Sequence, residues 1–220
     1  MTILNLPTVL DIIGPNQWDA NTKINFFEQS LQETNRNGIY NIINFCKNTD
    51  FYTAPSSCNY HSNYSGGLLD HSLLVYSLAM KYRDGLIVMK PELDTKIPSE
   101  SLTLACLLHD ICKTGFYAQV EKWKKDASGT WVSYIGYDVV DNFPIGHGEK
   151  SVIMLQKFGL ELTPDEMLAI RYHMGHWMDL GGELKMAYNR AQNICPLMTI
   201  IQSADITSSL LLEAQPNSKI

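Results

Sequence analysis

Apolar residues recur along most of this chain at spacings of three and four, the pattern of helices that bury one stripe. Residues 21–32 put Ile24, Phe27 and Leu31 on one such stripe, and residues 38–46 put Ile39, Ile42, Ile43 and Cys46 on another. Residues 68–82 predict a strongly apolar helix on which His71 shares the stripe of Leu68, Val75 and Leu78, so that a histidine points inward. Residues 84–98 are polar and contain prolines, which predicts a connection. Ser99 is placed to cap the next helix, which carries His109 and Asp110 in apolar surroundings and runs to about Lys113, with Gly115 at its end. Pro144 to Gly148 opens a further helix to about Phe158, stopped by Gly159. Thr163-Pro164-Asp165-Glu166 is a capping box with proline at the first helical position, ahead of Met167, Ile170 and His173. Residues 178–194 read as loop with a short helix near Met186. Pro196 starts the last helix, where Ile201, Asp205, Ser208 and Leu212 share a stripe, and the tail from Gln215 reads as frayed.

One interval breaks the period. Gln119 to Lys124 alternates, Asp126-Ala127-Ser128-Gly129 offers a turn, and Thr130 to Tyr134 is a second β-like run. A β-hairpin over about residues 117–137 is therefore expected inside an otherwise all-α chain. Its Trp123, Trp131, Tyr134 and lysines suit either a solvated hairpin with one buried face or a roof over a pocket. The loop at 51–67 is rich in Ser, Asn, Tyr and Pro, contains His61, and closes with Gly66-Gly67 beside His71.

Length and charge narrow the picture. The 220 residues suit one domain with a small appendage, here an N-terminal helical extension (1–50) on a main unit (51–214). A net charge of −6 argues against an extended nucleic-acid surface but not against a small anionic substrate. Five cysteines without C-x-x-C spacing, no basic start before an apolar run, and no apolar stretch of bilayer length predict reduced thiols, no signal peptide, no membrane span and a cytoplasmic location. Oligomeric state is left open.

The chemistry lies in the polar residues that fall on buried stripes or at helix ends: His71, His109, Asp110, His147, His173 and Asp205. Taken singly, each suits a hydrogen-bonded core position. Six on five helices would each require a private partner, whereas one shared metal centre satisfies all of them. Imidazoles with carboxylates and no thiolate suit Mn, Fe, Co, Ni or Zn better than Mg or Ca. Four such ligands hold one divalent ion, and six with a bridging carboxylate hold two. Lys113 is placed either to meet a phosphate oxygen or to end its helix in solvent.

The run His109-Asp110-Ile111-Cys112-Lys113-Thr114-Gly115, with His71 upstream and Asp205 downstream, resembles the H-D-x-x-K-x-G signature of the HD-domain superfamily of metal-dependent phosphohydrolases. Gly66-Gly67-Leu68-Leu69-Asp70-His71 is similar to the segment preceding the HD helix of bacterial 3′-to-5′ exoribonucleases. The resemblance covers about residues 50–212. It implies an all-α HD-domain bundle that hydrolyses a phosphoester of a nucleotide or short oligonucleotide with metal-activated water. It also implies His71, His109, Asp110 and Asp205 as ligands of a first ion, and His147 and His173 as ligands of a second bridged by Asp110. His176 competes with His173 for that role. Asp110 and Lys113 are the expected catalytic residues, and His61, Lys113, His176 and Trp123 the expected substrate contacts. The alternatives are a 3′-to-5′ exonuclease whose hairpin aromatics stack single-stranded bases, and a non-catalytic module that binds metal or nucleotide.

Overall fold

The computed structural model describes residues 6–175 and 181–213. The expected frayed tail, and His176, lie outside the described residues. Those residues contain ten α-helices: α1 (Val9–Ile13), α2 (Ala20–Glu33), α3 (Ile39–Lys47), α4 (Gly67–Met89), α5 (Leu93–Lys96), α6 (Ser99–Leu108), α7 (His147–Lys157), α8 (Pro164–Arg171), α9 (Gly182–Ile194) and α10 (Pro196–Thr207). One antiparallel pair, β1 (Tyr117–Lys125) and β2 (Trp131–Val139), interrupts them between α6 and α7. The all-α reading with an inserted hairpin is borne out.

The fold is built around α4. From Gly67 to Tyr76 every residue of this helix is buried, so it has no solvent face over its first three turns. It packs against α6 and α10, while α8 packs against α6, α7 and α10. Leu68, Leu73 and Val75 meet Leu104, Leu107 and Leu108 of α6 and Leu197, Ile201 and Ala204 of α10 in one apolar core, which Phe27, Leu31, Ile42 and Ile43 of the N-terminal helices join. Each fully buried Leu or Ile of that core contributes about 1.5–3 kcal/mol of transfer free energy.

Two buried ion pairs tie the first fifty residues down. Lys23 Nζ sits 2.7 Å from Asp70 Oδ1, beside His71, and Tyr64 donates its hydroxyl to the other Asp70 oxygen at 3.0 Å. The Arg36 guanidinium grips Glu166 with two 2.7 Å hydrogen bonds. Glu166 is also the third residue of the expected capping box on Thr163, so one carboxylate both starts α8 and anchors the chain 130 residues upstream.

Four expectations need correction. The helix carrying His71 does not end near Tyr82 but runs to Met89. Gly85 faces open space, where it costs about 1 kcal/mol, and Leu86 beyond it returns to the core. Ser99 is not a cap: Pro98 holds the cap position and Ser99 is the first helical residue. The same helix ends at Leu108 rather than Lys113. Asp110 leaves it with φ −106° and ψ 18°, and residues Ile111–Lys113 form a 3-10 turn. His109 and Asp110 thus stand at a helix end, not in mid-helix. Finally, the expected loop before Pro196 contains α9, thirteen residues long. Its buried stripe is only Tyr188 and Ala191, too narrow to show in the sequence, and the Tyr188 ring meets Tyr172 edge-on at 5.4 Å.

Candidate metal centre

Five of the predicted residues converge where the end of α6 meets α4, α8 and α10. His71 Nε2 lies 3.2 Å from His109 Nε2, 3.3 Å from Asp205 Oδ1 and 3.7 Å from Asp110 Oδ2. His109 Nε2 lies 3.4 Å from Asp110 Oδ2, and His173 Nε2 lies 3.5 Å from Asp110 Oδ1. Asp110 reaches both ways because the break after Leu108 swings its carboxylate across the end of α6. His71, His109, Asp110 and His173 are buried, and only the edge of Asp205 is open.

Two close approaches assemble this cluster. A Cβ on Gly148, in the first turn of α7, would stand 2.0 Å from the Arg171 carbonyl oxygen at the end of α8. Only glycine lets α7 approach there, close to His173. A Cβ on Gly67 would stand 2.0 Å from Ser62 O. That contact folds the 51–66 loop onto the start of α4 and lays the His61 ring on His71, with centroids 4.8 Å apart.

Hydrogen bonding fixes the tautomers. His109 Nδ1 donates to Cys106 O at 2.8 Å and His173 Nδ1 to Ile170 O at 2.7 Å, since a carbonyl can only accept. His71 Nδ1 donates to the Glu213 carboxylate at 2.8 Å. In the neutral rings every Nε2 then carries a lone pair, and all three lone pairs face one another and the two aspartates. His173 Nε2 and Asp110 Oδ1 have no hydrogen-bond partner at all. Such an arrangement is repulsive unless a cation occupies it, either a proton on His71 Nε2 facing Asp205 at 3.3 Å or a metal ion bound by all the rings at once. With Lys113 opposite the carboxylates of Asp110, Asp205 and Glu213, the neutral-imidazole site carries two uncompensated negative charges, which one divalent ion would neutralise. The donor set of imidazoles and carboxylates therefore fits a divalent transition metal.

Ionisation follows the same geometry. Burial opposes charge on His71, but Glu213 and Asp205 outweigh it and hold the imidazole up at about 10. Burial opposes ionisation of Asp110, yet Lys113 and His109 keep it well below the usual carboxylate range. Glu213 is held at about 2 by His71 in spite of its burial. Burial lowers His109 and His147, whereas Asp110 raises His173 against its burial.

The remaining predicted residues are placed as follows. Lys113 Nζ is 2.6 Å from Asp110 Oδ2 and 3.5 Å from Ser56 Oγ, buried beside the cluster rather than in solvent. His61 borders His71, and its Nε2 is buried without a partner. His147 lies one layer out, its Nδ1 3.8 Å from Cys112 Sγ and its ring on Phe116, and its nitrogens do not join the converging donors. Trp123 is not brought to the site. Tyr117 at the hairpin base touches it by donating to Ser56 O, and Trp123 stands six residues further along β1, roughly 20 Å away. A cavity of about 580 Å³ lined by Pro98, Thr163 and Pro196 lies at the far end of α6 from His109 and carries none of these groups.

Sequence reasoning missed Glu213. Its carboxylate accepts from His71 Nδ1, from Ser62 Oγ at 2.5 Å and from Ser208 Oγ. It arrives there because α10 loosens into a π-helical turn, Ser208–Leu212, closed by a bond from Glu213 N to Ser208 O. A wider turn of this kind leaves no mark in residue spacing. A carboxylate behind a ligating imidazole raises its basicity and fixes its ring. Glu213→Ala is expected to weaken Mn²⁺ binding by about 10–100-fold and Glu213→Gln by less, each with unchanged near-ultraviolet circular dichroism. Titration calorimetry measures this, and wild-type affinity in both variants would count against the role.

Comparison with known proteins places the chain in a family. A stretch of 104 residues is 31% identical to the dihydroneopterin 2′,3′-cyclic phosphate phosphodiesterase of Methanocaldococcus jannaschii, covering 47% of this chain and 36% of that protein. The match thus spans little more than a third of the relative's length. No solved structure matches the chain. The sequence description of the HD domain matches residues 68–210, the interval that opens with α4 and carries His71, His109-Asp110, His147, His173 and Asp205. A helical core that gathers all of these side chains but His147, and a match over more than half the chain, make this protein a member of the HD domain family.

Proposed function

We propose that the protein is a metal-dependent phosphohydrolase that cleaves a phosphoester, most readily a phosphodiester, in a small nucleotide-like substrate. The observation that carries this reading is the meeting of three imidazole Nε2 atoms with two aspartates, where His173 Nε2 and Asp110 Oδ1 are both buried without a partner. His71, His109, Asp110 and Asp205 would hold the first ion. His173 would serve a second, sharing Asp110 with the first, and His147 would join it only by moving in from its place beside Cys112 and Phe116. When bound, the ion supplies a Lewis acid and lowers the pKa of water from about 15.7 towards about 7. Lys113, held as an ammonium by Asp110, offsets charge on a phosphate oxygen. His61 is kept down at about 4, chiefly by burial. It is therefore neutral at pH 7, and its unpartnered Nε2 is left to hydrogen-bond substrate. The cyclic-phosphate activity in the relative's name favours a diester over a monoester. The acidic chain favours a small substrate over long RNA.

The test is a panel of 2′,3′-cyclic nucleotides, nucleoside monophosphates, bis(p-nitrophenyl) phosphate and short oligonucleotides, assayed with chelated protein reloaded with Mn²⁺, Fe²⁺, Co²⁺, Ni²⁺ or Zn²⁺. Turnover restored by metal on the small diesters is expected. Metal binding without turnover on any member would leave the binding-module reading, and turnover confined to oligonucleotides would leave the exonuclease.

A further inference from the structure

The hairpin presents an apolar face that nothing among the described residues covers. β1 and β2 pair only with each other, and an isolated two-stranded hairpin is marginal in water. Residues paired across the strands project to the same side. One side therefore carries three successive rungs near the tip: Lys125 with Trp131, Trp123 with Ser133, and Glu121 with Ile135. On it Trp123 is 59%, Trp131 60% and Ile135 65% exposed. Lys125 lies over the Trp131 ring at 5.5 Å, and neither it nor Glu121 has an ion-pair partner among the described residues. Lys122, on the opposite side, is already paired with Asp138 at 2.8 Å.

This face is complementary to itself. A twofold axis running across the strands at the Trp123–Ser133 rung turns position 123+k onto position 123−k of a second copy. Lys125 then meets the other copy's Glu121, Trp131 meets Ile135, and the two Trp123 rings meet at the centre. An isologous interface requires this kind of self-matching, and a central aromatic pair ringed by opposite charges is the usual anatomy of a stable one. The three rungs offer roughly 600 Å² per copy, about 1,200 Å² in all, which reaches the lower bound of specific interfaces. A phosphate polymer fits the face poorly, because Glu121 cancels Lys125 on it. We infer that two copies of this chain associate face to face through the hairpins.

Sedimentation velocity of the full chain over about 1–100 µM tests this. The expected species has twice the 24.9 kDa chain mass. Lys125→Glu and Glu121→Lys should each raise the dimer dissociation constant at least tenfold, because each sets like charges opposite one another, and the double reversal should restore it to within about threefold. Trp123→Ser should raise it about a hundredfold. Circular dichroism and Mn²⁺ binding serve as controls for folding. A chain that stays monomeric at the highest concentration overturns the inference. So does a dimer indifferent to both single reversals, a double variant as weak as the singles, or a monomer that captures an oligonucleotide through Trp123.

Discussion

Asp110→Asn is expected to reduce kcat/KM at least about a thousandfold, some 4 kcal/mol of transition-state stabilisation, and to weaken Mn²⁺ binding at least about a hundredfold. Both oxygens of this carboxylate are committed: Oδ2 to Lys113 and towards His71 and His109, Oδ1 towards His173. An asparagine keeps the shape but offers one neutral oxygen and one amide, and the amide would face either an ammonium or a lone pair. The substitution also removes the counter-charge of Lys113, whose ammonium then meets at best a neutral amide oxygen and Ser56 Oγ at 3.5 Å. Removing one member of a buried pair costs about 3–5 kcal/mol. The single variant therefore loses stability as well as activity. Asp110→Asn with Lys113→Met separates the two effects, since the methionine removes the stranded charge. The double variant should regain most of the stability and none of the metal affinity or turnover. Denaturant melts, calorimetry and the diester assay read the three quantities, and a double variant that bound Mn²⁺ like the wild type would refute the assignment.

The second large effect lies far from the chemistry. Arg36→Met should destabilise the protein by about 3–5 kcal/mol, lowering Tm by roughly 10 °C. Arg36 makes two 2.7 Å bonds to a fully buried carboxylate and a third to Glu161 O at 3.0 Å, so its loss leaves Glu166 charged and half-satisfied at the start of α8. The pH dependence has a definite sign. Burial raises the Glu166 pKa, but Arg36, Ser101 and the Thr163 amide together bring it below its ordinary 4.5. The unfolded chain therefore binds the proton first as pH falls. The pair's stabilisation is complete above about 4.5 and is lost as pH falls through the folded value. The gap between wild type and Arg36→Met should accordingly be widest at pH 7 and narrow below pH 4.5 in urea melts. A gap constant with pH would mean that the guanidinium acts through packing alone.

What could be read from the chain alone was the part governed by local pattern. The capping box at Thr163–Glu166, the hairpin turn at Asp126–Gly129 and the inward stripe of His71 each depend on residues within a few positions of one another. The inward turn of His71 and Asp205 followed because each sits on a stripe of its own helix, whereas His109 and Asp110 were placed by their apolar surroundings and stand just past the end of theirs. The rest depends on contacts distant in sequence or on irregular backbone. Glu213 needs the π-helical turn, Lys113 needs the break at Asp110, and His61 needs Gly67 to admit Ser62. The length of α4 was underestimated because Asp84 and Gly85 look like an ending, while the pull of Leu86 on the core cannot be seen in a window that stops there.

The bonds from His109 Nδ1 to Cys106 O and from His173 Nδ1 to Ile170 O have one more effect. Each carbonyl lies in the last turn of the helix that its histidine follows, α6 or α8, where backbone oxygens lack an intrahelical donor. Each ring therefore caps a helix whether or not an ion is present. Loading the site then requires no refolding of its walls, so uptake of the ion should be governed by dehydration and access, and the empty and loaded proteins should exchange their amide hydrogens around Cys106 and Ile170 almost equally slowly.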